Sequence, residues 1–116
     1  MKKTLVIAFL TLAVLFSGCT AQKTQTQPVT TNTVDIQGFA FSPDTITITK
    51  GTTVTWTNKD SAAHTVKGIG AALTSGTFSS GTLNQGQTYS QTFNEAGTFD
   101  YECSIHPSMK GKVIVT

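Results

Sequence analysis

Three residues near the end of the chain lie at intervals of three: Cys103, His106 and Met109, within the stretch YECSIHPSM. Residues of these kinds are rare elsewhere in the sequence, which holds one other histidine, His64, one other cysteine, Cys19, and no methionine beyond the first residue. Thiolate, imidazole and thioether groups all bind transition metals. The spacing therefore points first to a metal site.

The donor set narrows the choice of metal. One thiolate and two imidazoles in a trigonal plane, with a weak axial thioether, form a blue-copper site, also called a type 1 site. Thiolate and thioether suit Cu(I), and imidazole also serves Cu(II), so the mixed set tolerates both oxidation states. We predict that one copper ion is bound by His64, Cys103, His106 and Met109.

Other interpretations of the same residues stay open. Zinc accepts cysteine and histidine ligands but gains little from methionine. A cysteine nucleophile needs a histidine base and usually an orienting residue. His106 could be that base for Cys103, although Met109 and His64 would then have no role. Taken singly, each residue could also be structural, since free cysteine is among the most buried residue types.

The elements that must position these residues are strands. Between residues 33 and 116, apolar and polar side chains alternate in short segments rich in Val, Ile, Thr and aromatics, which is typical of half-buried strands. Turn residues separate the segments, as at Asn58-Lys59-Asp60 and Lys110-Gly111. We predict an all-β fold, a two-sheet β-sandwich with Greek-key connections. The alternating segments contain Val34 and Ile36, Ile46 and Ile48, Val54 and Trp56, Tyr89 and Phe93, Phe99, Tyr101 and Cys103, and Val113 to Val115.

One end of this sandwich is predicted to hold the metal. A strand carries Cys103 to that end, and the loop Ser104–Ser108 curls so that the next two ligands point back to the same spot. Lys110-Gly111 then turns the chain into the last strand. His64 comes from another strand connection, so the metal would tie the two sheets together. The Gly-, Ser- and Thr-rich segment 68–86 has no predicted strand register.

The N-terminal segment is predicted to direct export. Lys2 and Lys3 precede an apolar run and small residues, the pattern of a signal peptide over residues 1–18, and the run is shorter than the ~20 residues that a spanning helix needs. The sequence LFSGC resembles a lipobox, in which cleavage precedes Cys19 and that cysteine receives a lipid. Residues 19–32 are rich in Thr and Gln and too polar to fold, so we predict a disordered tether before a domain of residues 33–116.

Charge and cysteine content exclude several classes of function. Removal of the signal peptide takes two of the eight lysines, so six lysines remain against six acidic residues, and the chain has no arginine. Nucleic-acid binding needs concentrated basic side chains and is not expected. With Cys19 assigned to a lipid, Cys103 has no partner left for a disulfide.

Two stretches of the domain resemble a known family, the cupredoxins, which are small blue copper proteins of the plastocyanin and amicyanin kind. They are GTTVTWTNKDSAAHTV around His64 and GTFDYECSIHPSMKGKVIV around the other three ligands. The short C-x2-H-x2-M loop most resembles amicyanin. The resemblance covers about Thr33 to Thr116 and implies a cupredoxin-type Greek-key sandwich. Where the family often has an asparagine bonded to the residue after the cysteine, this chain has Thr65 and Ser104, whose hydroxyl groups could bridge the two ligand loops.

The resemblance also implies a function, which is one-electron transfer with copper cycling between Cu(II) and Cu(I). His106 would carry the electron through an apolar surface patch, for which the candidates are Ala62, Ala63, Ile105 and Pro107, with Ile69 to Leu73 adjoining. Redox proteins would then be transient partners. The carrier would be a monomer, anchored through Cys19 to the outer face of the cell membrane or held in the periplasm.

A copper-binding or copper-delivery module without electron transfer is the alternative. Such a protein is expected to expose spare methionine or histidine ligands, and this chain has none to spare. An enzyme is not expected, because the four ligands fill the coordination sphere. Paired carboxylates or a Ser/His arrangement that could serve catalysis are also lacking in the sequence.

Overall fold

The computed structural model describes residues 29–70 and 76–116. Those residues form eight strands and no helix, so the described part of the chain offers no helix that could cross a membrane. The strands are β1 (Thr33–Ile36), β2 (Phe41–Ser42), β3 (Thr45–Ile48), β4 (Thr52–Asn58), β5 (Lys67–Ile69), β6 (Thr88–Phe93), β7 (Gly97–Glu102) and β8 (Lys110–Val115).

The strands form two sheets of four strands, in the orders β2-β1-β4-β6 and β3-β8-β7-β5. Both sheets are mixed: β1 runs parallel to β4, with Val34 opposite Trp56, and β3 runs parallel to β8, with Ile46 opposite Val113, while the other pairs are antiparallel. The chain passes between the sheets at five connections: from β2 to β3, from β3 to β4, from β4 to β5, from β5 to β6 and from β6 to β7. The predicted all-β sandwich is confirmed.

The core lies between the sheets and is rich in aromatic rings. Trp56 is fully buried and makes an edge-to-face contact with Tyr101, with ring centroids 5.4 Å apart. Phe78 and Phe93 pack on the same indole at 6.1 and 6.5 Å. Burial of apolar area at this density stabilises the sandwich, at about 1.5–3 kcal/mol for each large side chain fully removed from water.

The predicted turn at Lys110-Gly111 is wrong. Both residues belong to β8, where Lys110 pairs with Glu102 and Gly111 pairs with Tyr101. A Cβ atom at position 111 would clash with the ring of Tyr101. Glycine is therefore needed because the tyrosine ring packs directly against the strand backbone, a common reason for glycine inside a strand.

The predicted turn Asn58-Lys59-Asp60 also starts one residue too early, because Asn58 is the buried last residue of β4. No strand register was predicted for the segment 68–86. Among its described residues, only the first two belong to a named strand, β5. The rest of it contributes bridges: Ser79 pairs with Lys67, and Leu83 pairs with His64.

The predicted signal peptide, the lipidation site Cys19 and the first part of the tether lie outside the described residues. Two backbone bonds tie residues before Thr33 to the sandwich. The Thr47 N–H donates to the Val29 carbonyl at 3.1 Å, and the Thr55 N–H donates to the Asn32 carbonyl at 2.9 Å. The division of the chain at residues 18, 32 and 33 stays a prediction.

Candidate metal centre

Two connections at one end of the sandwich carry the predicted ligands. Cys103 follows β7 directly, and His106 and Met109 lie in the short connection to β8. Backbone bonds fold this connection: His106 N–H donates to the Cys103 carbonyl at 3.2 Å, and Met109 N–H donates to the His106 carbonyl at 2.9 Å. A third bond, from Cys103 N–H to the Met109 carbonyl at 3.1 Å, closes the loop. The intervals of three in the sequence therefore correspond to successive tight turns.

The fourth predicted ligand, His64, lies in the connection between β4 and β5. Its backbone forms a two-way bridge with Leu83: His64 N–H donates to Leu83 O at 3.0 Å, and Leu83 N–H donates to His64 O at 2.7 Å. The His64 side chain is fully buried. The long connection between β5 and β6 thus anchors the ligand that lies farthest from the others in sequence.

The side chains of the ligands converge. Sγ of Cys103 lies 3.7 Å from Nδ1 of His64 and 3.8 Å from Nδ1 of His106, and one ligand atom from each residue lies within 4.8 Å of the other two. Met109 is buried in the same core cluster as Cys103, and its carbonyl is bonded to the backbone of that residue. The structure therefore positions all four residues to bind a single metal ion.

The spacing of the donor atoms fits such an ion. A metal held at about 2.3 Å from sulfur and about 2.0 Å from nitrogen, as for zinc, separates the two donors by about 3.7 Å in a trigonal plane. The observed separations of 3.7 and 3.8 Å match this value. A trigonal set of one sulfur and two nitrogens with a methionine beside it is the donor chemistry of blue copper.

The environment of Cys103 favours its thiolate form. Burial raises the pKa of the thiol, but the Thr65 N–H at 3.3 Å and the two imidazoles lower it further than burial raises it, to about 6. The thiolate is the form of cysteine that binds metals. The ligand is therefore ready to bind copper at neutral pH.

Thr65 and Ser104 lie in contact across the two ligand connections. The Ser104 N–H donates to the Thr65 hydroxyl at 2.7 Å, and the two hydroxyl oxygens are 2.8 Å apart. Thr65 follows His64 in the sequence, and Ser104 follows Cys103. The contact joins the backbone of one ligand connection to the side chain of the other.

A carboxylate that the sequence analysis assigned to a turn touches a ligand. Oδ2 of Asp60 is 2.9 Å from Nε2 of His64, and Asp60 is 13% exposed. The N–H groups of Phe39 and Gly38 and the His64 ring lower the pKa of Asp60 against the opposing effect of burial. The clue available in the sequence was a carboxylate four residues before a predicted ligand.

Asn58 supports the same connection from inside the core. Its Nδ2 group donates to the carbonyls of Ala62 and Leu83 at 2.9 and 2.8 Å, and its Oδ1 atom accepts the Asp60 N–H at 2.9 Å. Asn58 is fully buried. Its three bonds satisfy one buried and two partly buried backbone groups and hold the segment that leads to His64.

An exposed aromatic side chain covers the histidines. Phe39 is 53% exposed and makes edge-to-face contacts with His64 and His106, each with ring centroids 5.1 Å apart. Beside it, His106 is half-buried and Ile105 is 50% exposed. Phe39 was not predicted from the sequence, where its signal was an apolar residue placed directly after a glycine.

The other residues predicted for an apolar patch differ in exposure. Pro107 is exposed, while Ala62 and Ala63 are half-buried. Ile69, predicted to adjoin the patch, is half-buried, and residues 71–73 lie outside the described part of the chain.

Comparison with known proteins gives the same assignment. A family model described as copper binding proteins, plastocyanin/azurin family, matches residues 28–116. Amicyanin-alpha of Methylorubrum extorquens is 36% identical over 108 residues, which cover 93% of this chain and 90% of that protein. Amicyanin of Paracoccus denitrificans is 38% identical over 82 residues, which cover 71% of this chain and 63% of that protein.

Solved structures agree with the sequence matches. The Cu(I) form of an amicyanin variant superposes with a TM-score of 0.68 and 36% identity, covering 72% of this chain and 80% of that one. A purple cupredoxin from Nitrosopumilus maritimus superposes with a TM-score of 0.65 and 33% identity, covering 74% of this chain and 100% of that one. The fold, the ligand set and these matches together show that the chain belongs to the plastocyanin/azurin family of copper-binding proteins, the cupredoxins.

Proposed function

We propose that this protein is a one-electron carrier that uses the Cu(II)/Cu(I) couple of a copper ion held by His64, Cys103, His106 and Met109. The observation that carries the proposal is the contrast in exposure within one complete ligand set. Three of the ligands are buried, and only His106 is half-buried. An ion enclosed in this way is suited to exchanging electrons with partners and not to binding a substrate.

The residues around the ligands hold the site in one arrangement. Thr65 bonds the Cys103 sulfur through its N–H and the Ser104 backbone through its hydroxyl. Asn58 fixes the connection that carries His64. A donor set that is already in place requires little movement when the charge of the ion changes, and such preorganisation is the protein's contribution to fast electron transfer.

We propose that partners dock on the apolar surface around His106. This docking patch comprises the four residues predicted from sequence and the aromatic ring found beside them: Ala62, Ala63, Ile105, Pro107 and Phe39. Exposed apolar surface of this kind marks interaction sites. The domain carries little net charge once the signal peptide is removed, and a small apolar contact suits brief encounters with rapid release.

We further propose that the chain is exported and lipid-anchored through Cys19, with residues 19–32 as the tether, so that the copper domain works at the outer face of the membrane or in the periplasm. The lipobox-like LFSGC sequence supports this. In the native host, wild-type protein is expected in the membrane fraction with a lipid mass on Cys19. Cys19→Ala is expected in the soluble fraction, and an unmodified, soluble wild-type protein would rule out the anchor.

Electron self-exchange tests the carrier function. In mixtures of Cu(I) and Cu(II) protein, NMR line widths are expected to report exchange that is much faster than the loss of copper to an added chelator. Copper transfer to the chelator that outpaces electron exchange would favour the copper-delivery alternative.

A pair of variants tests the docking patch. Ile105→Lys places a like charge on each of two docking surfaces and is expected to slow self-exchange by about tenfold, equivalent to about 1.4 kcal/mol. Thr98→Lys is a charge-matched control at the exposed start of β7, at the other end of that strand from Cys103. Equal effects of the two variants would place the docking surface elsewhere.

A further inference from the structure

The carboxylate of Asp60 makes contacts that go beyond those of a turn residue. It accepts the Gly38 N–H at 2.7 Å on Oδ1 and the Phe39 N–H at 2.9 Å on Oδ2, and Oδ2 also lies 2.9 Å from Nε2 of His64. In the part of the chain that the structure describes, the lysine ion pairs involve Asp35 and Asp100 and not Asp60. Its charge is therefore directed at backbone N–H groups and at one ligand ring.

The turn that holds Asp60 has an unusual conformation. Gln37 and Ala40 exchange backbone hydrogen bonds at 3.0 and 3.3 Å, which leaves Gly38 and Phe39 as a two-residue hairpin loop between β1 and β2. Both loop residues have positive φ, 64° and 56°, as a type I′ turn requires. This conformation is easy for glycine but costs a bulky side chain about 1 kcal/mol or more. The two successive N–H groups form a concave anion site, and Asp60 occupies it.

A metal bound at Nδ1 leaves the ring of His64 only one place for a proton, which is Nε2. Its Nδ1 atom faces the thiolate of Cys103 at 3.7 Å and is the atom available to a metal. In the metal-bound protein, Nε2 therefore carries the proton and donates a hydrogen bond to Asp60. A carboxylate that accepts this bond makes the imidazole more electron-rich, and such partners fix the orientation and raise the basicity of ligand histidines.

We infer that Asp60 is a positioning residue of the copper centre, which holds His64 as an Nδ1 ligand and shifts the couple toward Cu(II). The inference rests on the proposed copper function. The extra electron density stabilises the more highly charged ion more than Cu(I), so Asp60 lowers the reduction potential. Through the same carboxylate, the turn keeps Phe39 over both histidine rings, so that one residue organises a ligand and the covering aromatic group.

The test compares two charge-matched variants of the copper-loaded protein. Asp60→Asn keeps the size of the side chain but removes its charge, and it is expected to weaken Cu(II) binding by about 10- to 100-fold with a smaller loss for Cu(I). For each tenfold difference between the two losses, the potential rises by about 59 mV. Asp100→Asn removes the same charge from the exposed outer face of β7, and its potential is expected to stay close to that of the wild type.

The outcomes separate this inference from the copper function itself. A wild-type protein without the blue copper spectrum would refute the proposed function. A blue wild-type protein, with Asp60→Asn no different in potential and Cu(II) affinity from Asp100→Asn, would refute the role of Asp60 alone.

A measurement on the wild-type protein does not depend on the folding of any variant. In the diamagnetic Cu(I) form, NMR is expected to show a proton on Nε2 of His64 that exchanges slowly with water, because the ring is buried and the proton is bonded to Asp60. An Nε2 atom without a proton would overturn the inference.

Discussion

The two connections that supply the metal ligands are built differently. The one that carries His64 is buried from the ligand to Val66 and is held by polar side chains. Asn58 and Asp60 fix its course, and Leu83 pairs with the ligand's backbone. The one that carries Cys103 and His106 is short, folds by its own backbone bonds and exposes most of its residues to solvent.

The difference indicates a division of roles. Buried polar networks that are fully hydrogen-bonded rigidify a structure, so the His64 connection sets the geometry of the site. The exposed connection gives His106 and its apolar neighbours access to a partner. Thr65 and Ser104 join the two connections, so the rigid His64 connection also positions the connection that carries Cys103 and His106.

The largest expected difference is in how far added imidazole restores copper binding after each of the two histidine ligands is removed. His64→Gly and His106→Gly are each expected to abolish the blue thiolate-to-copper absorption. Added imidazole is expected to restore it in His106→Gly, because that ring is half-buried and reachable, and not in His64→Gly, because that ring is fully buried. Visible spectra during an imidazole titration measure both. Equal recovery of the blue absorption in the two variants would contradict the difference in solvent access between the two histidine positions.

The acidity of Cys103 tests the electrostatics of the shared site. In copper-free protein with Cys19→Ala, the thiolate absorbance is expected to titrate near a pKa of about 6, against 9.0 as the ordinary value. Because the folded pKa is lowered, the thiolate contributes stability fully above the unfolded pKa, and this contribution is lost as pH falls through about 6. The denatured chain is the control, and a folded midpoint at or above the denatured one would contradict the described environment.

Loss of Asn58 tests the rigidity of the buried connection. Asn58→Ala removes the bonds to the Ala62 carbonyl and the Asp60 N–H, and one of the two bonds to the Leu83 carbonyl. It is expected to lower the free energy of unfolding by about 3 kcal/mol. Thr53→Ala on the same strand removes one exposed cross-strand contact and is expected to cost less than about 1 kcal/mol. Chemical denaturation of the copper-free proteins measures both. Similar losses of unfolding free energy in the two variants would show that the hydrogen bonds of Asn58 do not stabilise the His64 connection.

The smallest expected effect concerns the link between the two connections. Thr65→Val removes the acceptor of the Ser104 N–H and is expected to cost about 1 kcal/mol, which corresponds to about fivefold faster copper release. Ser104→Ala keeps that backbone bond and is expected to release copper at close to the wild-type rate. Release into a chelator measures both rates, and a larger effect of Ser104→Ala would mean that its hydroxyl group, and not its backbone, makes the link.

The sequence predicted the parts of the site that depend on residue type and short spacing. Cys103, His106 and Met109 are close in the chain and of distinctive chemistry, and the alternation of apolar residues predicted the sandwich. The turn predicted at Gly111 was wrong because glycine permits close packing under Tyr101 as well as a turn.

The parts that could not be predicted depend on contacts between distant segments. Asp60 contacts the Gly38–Phe39 turn, which lies more than twenty positions earlier in the sequence. No pattern in either segment predicts this contact. Asn58 looked like a turn residue because asparagine is common in turns, and only its burial at the end of β4 shows the network it forms.

The copper-loaded spectrum of the purified protein tests the central claim most directly. After addition of one equivalent of Cu(II), we expect an intense blue thiolate-to-copper band and an EPR signal with narrow copper hyperfine splitting, both lost in Cys103→Ser. A colourless or weakly absorbing product would show that Cys103 does not bind copper, and would contradict the proposed site and the function derived from it.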